Sequence, residues 1–99
     1  MQDTKIFIVD DSPIQLILLE KVLQSEGFIV EAFSNGPDFI QSISIEKPDL
    51  IISDIHMPAL NGFELIEEVR RFPDGEKIPC FLISTKADTV IRKKVDAIG

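Results

Sequence analysis

The chain has one cysteine and no tyrosine, and its cations are outnumbered, with 10 Lys and Arg against 17 Asp and Glu. A single cysteine excludes an intramolecular disulfide. The apolar neighbours Phe81, Leu82 and Ile83 mark Cys80 as a small buried hydrophobe. A reducing compartment, the cytoplasm, is the expected location. No apolar run approaches the length of a membrane span, and the surroundings of Lys5 do not open a signal peptide. The shortage of positive charge leaves a net charge of -7. That argues against a nucleic-acid or anionic-membrane surface and suits a protein that gathers cations. Internal repeats, low-complexity tracts and linkers are also missing.

The 99 residues amount to one small domain whose core leaves a thin stability margin. Hydrophobic residues are 44% and charged residues 27%, ordinary values for a globular domain. Ile6-Phe7-Ile8-Val9 is an apolar run of strand length and ends in Asp10-Asp11. Ser12-Pro13 supplies an N-cap and a first-turn proline, so a helix is expected to about Glu26, with Gly27 as its left-handed stop. Ile29 to Phe33 alternates weakly, as an edge strand does. Asn35-Gly36-Pro37 opens a second helix carrying Phe39, Ile40 and Ile43, which Pro48 ends. Leu50-Ile51-Ile52-Ser53 is a third strand and runs into Asp54. Asn61-Gly62 opens a third helix with Leu65, Ile66 and Val69 inward and a Glu67/Arg71 pair outside. Asp74-Gly75 is a turn, and Pro79 opens a fourth strand, Cys80 to Ile83, ending at Ser84. Asp88 caps a last helix with Val90, Ile91, Val95 and Ile98.

The order is β-α-β-α-β-α-β-α, an α/β class. Three strands are apolar throughout, which fits a parallel sheet covered on both faces. Right-handed crossovers favour a doubly wound sheet with the first and third strands adjacent. Ligands in such sheets sit beyond the carboxyl ends of the strands, where the winding reverses. Asp10, Asp11, Asp54 and Ser84 all fall at such ends, so one polar cluster is expected.

Two carboxylates about 5 Å apart, at an effective dielectric near 20, repel by roughly 3 kcal/mol, or about two pKa units. A third makes matters worse. The cluster needs a proton or a cation, and an all-oxygen donor set points to Mg²⁺. With such an ion bound, a carboxylate can attack phosphorus and become an aspartyl phosphate. Asp54, after the central strand, is the candidate nucleophile. Ser84 ends the neighbouring strand, and its hydroxyl could donate to a phosphoryl oxygen and sense it.

These residues together resemble the receiver domain of two-component response regulators. The resemblance rests on Asp10-Asp11, on Asp54 with Met57-Pro58 and Asn61-Gly62, and on Ile78-Pro79 leading through Phe81-Leu82-Ile83 to Ser84. It implies a flavodoxin-like receiver fold with strand order 2-1-3-4. It implies that Asp54 accepts a phosphoryl group from a phosphohistidine on a sensor histidine kinase or phosphotransfer protein. Asp11 and Asp54 would hold Mg²⁺ through side chains and His56 through its backbone carbonyl. Asp10 would hold a metal-bound water, and Ser84 would be the switch hydroxyl. The domain would be a switch that assists its own modification, not a turnover enzyme.

The resemblance covers residues 1-99, but receivers have five β-α units and this chain shows four. The fifth strand and helix, with their lysine and switch aromatic, are missing, and Lys86 is not a substitute. The expected consequence is an exposed fourth-strand edge and a bare first-helix face, where Ile14, Leu16, Ile17, Leu18 and Leu19 are apolar almost all round. The chain either forms a homodimer through one of these surfaces or is a fragment of a longer protein. Two other functions compete. One is a pseudo-receiver, an interaction module that keeps the fold without phosphorylation. The other is an aspartyl-nucleophile phosphatase, which would want an acid two residues after Asp54, where His56 stands.

Overall fold

A computed structural model of the chain describes residues 4-57 and 60-83. The elements are β1 (Lys5–Val9), α1 (Pro13–Ser25), β2 (Ile29–Phe33), α2 (Gly36–Ile43), β3 (Leu50–Asp54), α3 (Gly62–Arg70), a 3-10 turn (Gly75–Lys77) and β4 (Cys80–Ile83). Ser84 and the helix expected after Asp88 lie outside the described residues, as does Pro58. All strand pairs are parallel and the sheet order is β2-β1-β3-β4. The expected adjacency of the first and third strands is therefore met, and β2 lies at an edge.

The helix starts follow from their caps. The Ser12 hydroxyl accepts from the Gln15 N–H at 3.3 Å, with Pro13 in the first turn. Asn35 accepts from the Asp38 N–H at 2.8 Å. Gly27 closes α1 at φ 94°, and its N–H donates to the Gln24 carbonyl at 3.0 Å.

Two expectations are corrected. Helix α2 ends at Ile43, well before Pro48. The segment that follows is tied to β1: the Lys5 ammonium holds Glu46 at 2.8 Å, and the Lys5 N–H donates to Asp49 Oδ2 at 2.8 Å. Past Ile43 the chain continues as a turn, in which the Ser44 and Glu46 N–H groups still donate to the Ile40 and Ser42 carbonyls, before it reaches the foot of β1. Arg71 pairs with Glu68 at 3.2 Å, not with Glu67. Arg71 is the residue that caps α3, and its guanidinium turns back by three positions.

Side chains alternate between the two faces of the sheet. One face carries Phe7, Val9 and Ile51 against Phe39, Ile43, Leu65 and Val69 of α2 and α3. Its centre is a triangle of edge-to-face rings, with Phe7 5.1 Å from Phe33 and 6.1 Å from Phe39, and Phe33 5.6 Å from Phe39. The opposite face carries Ile6 and Ile8 against Leu16 of α1, with Leu19 and Leu23 beside it. Cys80 is partly buried and packs against the first face, and burial pushes its thiol pKa up.

Phe7 is fully buried at the centre of that triangle. Phe7→Ala is expected to cost about 3–5 kcal/mol, enough to consume most of the stability of a domain this small. Urea unfolding checks it, and Phe7→Leu should lose less than half as much.

Candidate functional site

The register of β1 on β3 places Val9 opposite Ser53. The next residue on each strand is an aspartate, so Asp10 and Asp54 leave the sheet side by side. Asp11 follows on the loop to α1. One carboxylate oxygen from each of Asp10, Asp11 and Asp54 lies within 4.8 Å of the others. Asp10 and Asp54 are buried and Asp11 is exposed. The single polar cluster expected from the strand ends is therefore present for these three residues.

The surrounding backbone fixes the two buried carboxylates. The Ser12 N–H donates to Asp10 Oδ1 at 2.9 Å, and the Asp10 N–H donates to the Phe33 carbonyl at 3.0 Å. The His56 N–H points at Asp54 Oδ1 from 3.4 Å. Behind Asp54, α3 begins at very close range. A Cβ on Gly62 would stand 2.7 Å from the Asp54 carbonyl oxygen and 3.0 Å from Ile55 Cα. Only glycine lets the helix start there. The Gly62 N–H uses the approach to donate to the Ile55 carbonyl at 2.9 Å.

The start of α3 is a full capping box. Asn61 Oδ1 accepts from the Glu64 N–H, and Glu64 Oε1 accepts from the Asn61 N–H, each at 2.9 Å. Glu64 and Phe63 were not singled out in the sequence. The Asn-x-x-Glu spacing before an apolar run was the available signal for Glu64.

The exposed His56 side chain stands beside the cluster. With Ile55, Met57, Asn61 and Phe63 it lines an open depression of about 510 Å³. Ser84, the remaining expected site residue, lies outside the described residues.

The electrostatics follow from crowding and burial. The Asp10 carboxyl is pushed up from 3.8 to about 6, first by burial and then, against the opposing Ser12 N–H, by the charges of Asp54 and Asp11. Three carboxylates with only oxygen donors suit a hard divalent cation. Two ligands on one Mg²⁺ stand at most about 4.2 Å apart, twice its usual bond length. The cluster therefore fits the ion after a small contraction, or with one carboxylate acting through a water.

Residues 6–99 match the family described as the response regulator receiver domain. The chain belongs to that family, the signalling receivers of two-component systems. PilH of Pseudomonas aeruginosa is 37% identical over 82 residues, which cover 83% of this chain and 68% of PilH. Chemotaxis response regulator CheY4 of Vibrio cholerae superposes with a TM-score of 0.88 at 28% identity, covering 98% of this chain and 81% of that one. The receiver domain of a sensor histidine kinase of Pseudomonas aeruginosa superposes with a TM-score of 0.85 at 25% identity, over 98% of this chain and 80% of that one. In that structure a magnesium ion is coordinated in the active-site cleft. The chain is shorter than its curated relatives: it spans 63% of one, 68% of PilH and 15% of a third. Among the described residues, no helix is long and apolar enough to cross a membrane.

Two measurements test this geometry. A folded Asp10 that keeps its proton to about pH 6 lags the unfolded chain, which releases it near 3.8. Stability of the metal-free protein therefore falls as pH rises through that window. Asp10→Asn should raise the thermal midpoint above pH 6 and leave it unchanged below pH 4, while Mg²⁺ binding weakens at least tenfold. Gly62→Ala should cost about 1–3 kcal/mol by forcing α3 away from β3. Calorimetric titration should also show weaker Mg²⁺ binding in that variant, because the Asp54 backbone moves with the helix.

Proposed function

We propose that the chain is a phosphoacceptor signalling domain in which Asp54 takes a phosphoryl group from a phosphohistidine. The donor is a sensor histidine kinase or a phosphotransfer protein. The observation that carries this reading is the meeting of three carboxylates within 4.8 Å at the carboxyl ends of β1 and β3. Asp11 and Asp54 would hold Mg²⁺ through their side chains, Asp10 through a water, and His56 through its backbone carbonyl. When bound, the ion supplies the positive charge that the acidic cluster and an incoming phosphate both require.

The chain's own residues do the rest. An Asp54 carboxylate oxygen attacks phosphorus and forms the new P–O bond. The P–N bond to the donor histidine breaks, and the freed imidazole keeps the electron pair and takes up a proton. Asp10 and Asp11 stand beside the acceptor. The His56 N–H holds Asp54 Oδ1 in place, and Ser84 is the hydroxyl that would meet the transferred group. The domain is a switch that assists its own phosphorylation and dephosphorylation and turns over no separate substrate. Nucleic acid is not a partner of a domain with this charge, and the site of action is the cytoplasm. The chain also offers a second copy two surfaces, the flank of α1 and the edge of β4.

Incubation with Mg²⁺ and acetyl phosphate should label this chain on Asp54, giving a mass increase of one phosphoryl group. Asp54→Asn should remove the label, and EDTA should prevent it. Labelling that persists in Asp54→Asn, or none in a folded, Mg²⁺-binding chain, would return the domain to the class of interaction modules that keep the fold without phosphorylation.

A further inference from the structure

Helix α2 comes closer to the chain after β3 than a side chain on its first residue would allow. That residue, Gly36, is buried, and a Cβ on it would stand 2.7 Å from Leu60 Cδ2, 3.3 Å from Cγ and 3.0 Å from Cβ. Glycine therefore leaves a notch at the start of α2, and Leu60 sits in it. Leu60 is partly buried and packs against the same core cluster as Phe39 and Met57.

The two sides of this contact differ in their freedom. The start of α2 is pinned. Asn35 Oδ1 accepts from the Asp38 N–H at 2.8 Å, Asn35 Nδ2 donates to the Asp38 carboxylate at 3.0 Å, and Phe39 is fully buried in the ring triangle. Leu60 belongs to the stretch between Asp54 and α3. Ile55, His56, Met57 and Asn61 of that stretch line the open depression, so that flank gives it no packed support. A push at the notch therefore moves Leu60 rather than α2.

What Leu60 moves is the backing of the acidic cluster. Asn61 follows it as the cap of α3, and Gly62 comes next. Gly62 has no slack: its N–H donates to the Ile55 carbonyl at 2.9 Å, and a Cβ on it would stand 2.7 Å from the Asp54 carbonyl oxygen. Close-packed contacts pass a displacement on rather than absorb it. The path from Gly36 through Leu60 to Gly62 ends on the backbone of Asp54 and Ile55.

We propose that Gly36 and Leu60 are positioning residues for the acidic site. The notch in α2 seats Leu60, and the seat holds the backbone after β3 where Asp54 meets Asp10 and Asp11 at the spacing that Mg²⁺ takes. Neither residue is a ligand. The proposal rests on the metal-binding reading given above and adds to it a control from outside the cluster.

Gly36→Ala, Leu60→Ala and the double variant test it, with circular dichroism as the check on folding. Alanine suits a helix better than glycine, so α2 itself gains from the first change. Mg²⁺ titration of Gly36→Ala should nonetheless show affinity at least fivefold weaker. In the metal-free protein, hydrogen exchange at the Gly62 amide should speed at least tenfold, while the Ile51 amide, bonded to the Pro79 carbonyl in the sheet, keeps its rate. Leu60→Ala empties the seat and should weaken Mg²⁺ binding by itself. In that background Gly36→Ala should change either reading less than twofold, because Cδ2 and Cγ are gone. Effects of Gly36→Ala that are equal with and without the Leu60 side chain, or absent from both readings, overturn the proposal. An unaltered chain that binds no Mg²⁺ overturns the phosphoacceptor reading instead, and the exchange rates then decide the Gly36–Leu60 contact alone.

Discussion

The pairing of β1 with β3 is the constraint on which the site depends. Parallel strands joined by helical crossovers must place their carboxyl ends together, and the register sets Val9 against Ser53. A one-residue slip would turn every side chain of β1 to the other face. Phe7 would then leave its place between Phe33 and Phe39, and Asp10 would no longer meet Asp54. The aromatic core thus enforces the register, and the register enforces a crowding of like charges that no local interaction would favour. Folding energy is stored at the site as unreleased electrostatic repulsion.

The crowding persists because the backbone behind it has little freedom. Asp10 is held by the Ser12 N–H, and Ser12 in turn starts α1. Asp54 is backed by the first residue of α3, too close for any side chain larger than hydrogen. Each buried carboxylate is therefore tied to the start of a helix. A change of charge or volume at the cluster bears first on those two helix starts, the places where receiver signalling could be transmitted into the rest of the fold.

Much of this was legible in the residues themselves, and the reasons differ by element. Ser12-Pro13, Asn35 and Asn61 announce helix starts because capping is a local hydrogen bond between neighbours in sequence. Asp10 and Asp54 were legible because each ends a continuous apolar run, and strand ends converge in a parallel sheet. The end of α2 was not legible. The segment after it is held by Lys5, some forty residues away, through Glu46 and Asp49, a contact that no local pattern announces. The partner of Arg71 was missed for a smaller reason. The pairing rule for helix interiors assumes a helix that continues, and α3 stops at that residue. Gly62 was read only as part of the start of α3, whereas its further use is the close contact with the end of β3, which no spacing reveals.

Lys5 also gives the sheet two unlike ends. At the foot its ammonium lies between Glu46 and Glu31, at 2.8 and 3.5 Å, and neutralises part of the acidic charge there. At the head, among the described residues, no ion pair reaches Asp10, Asp11 or Asp54. Between these two groups of described residues, the carboxylates at the head are the ones with no cation beside them. A positively charged body approaching at random is turned toward that end before it touches the surface. Orientation of such a body is thus partly settled during diffusion, before any surface contact is made.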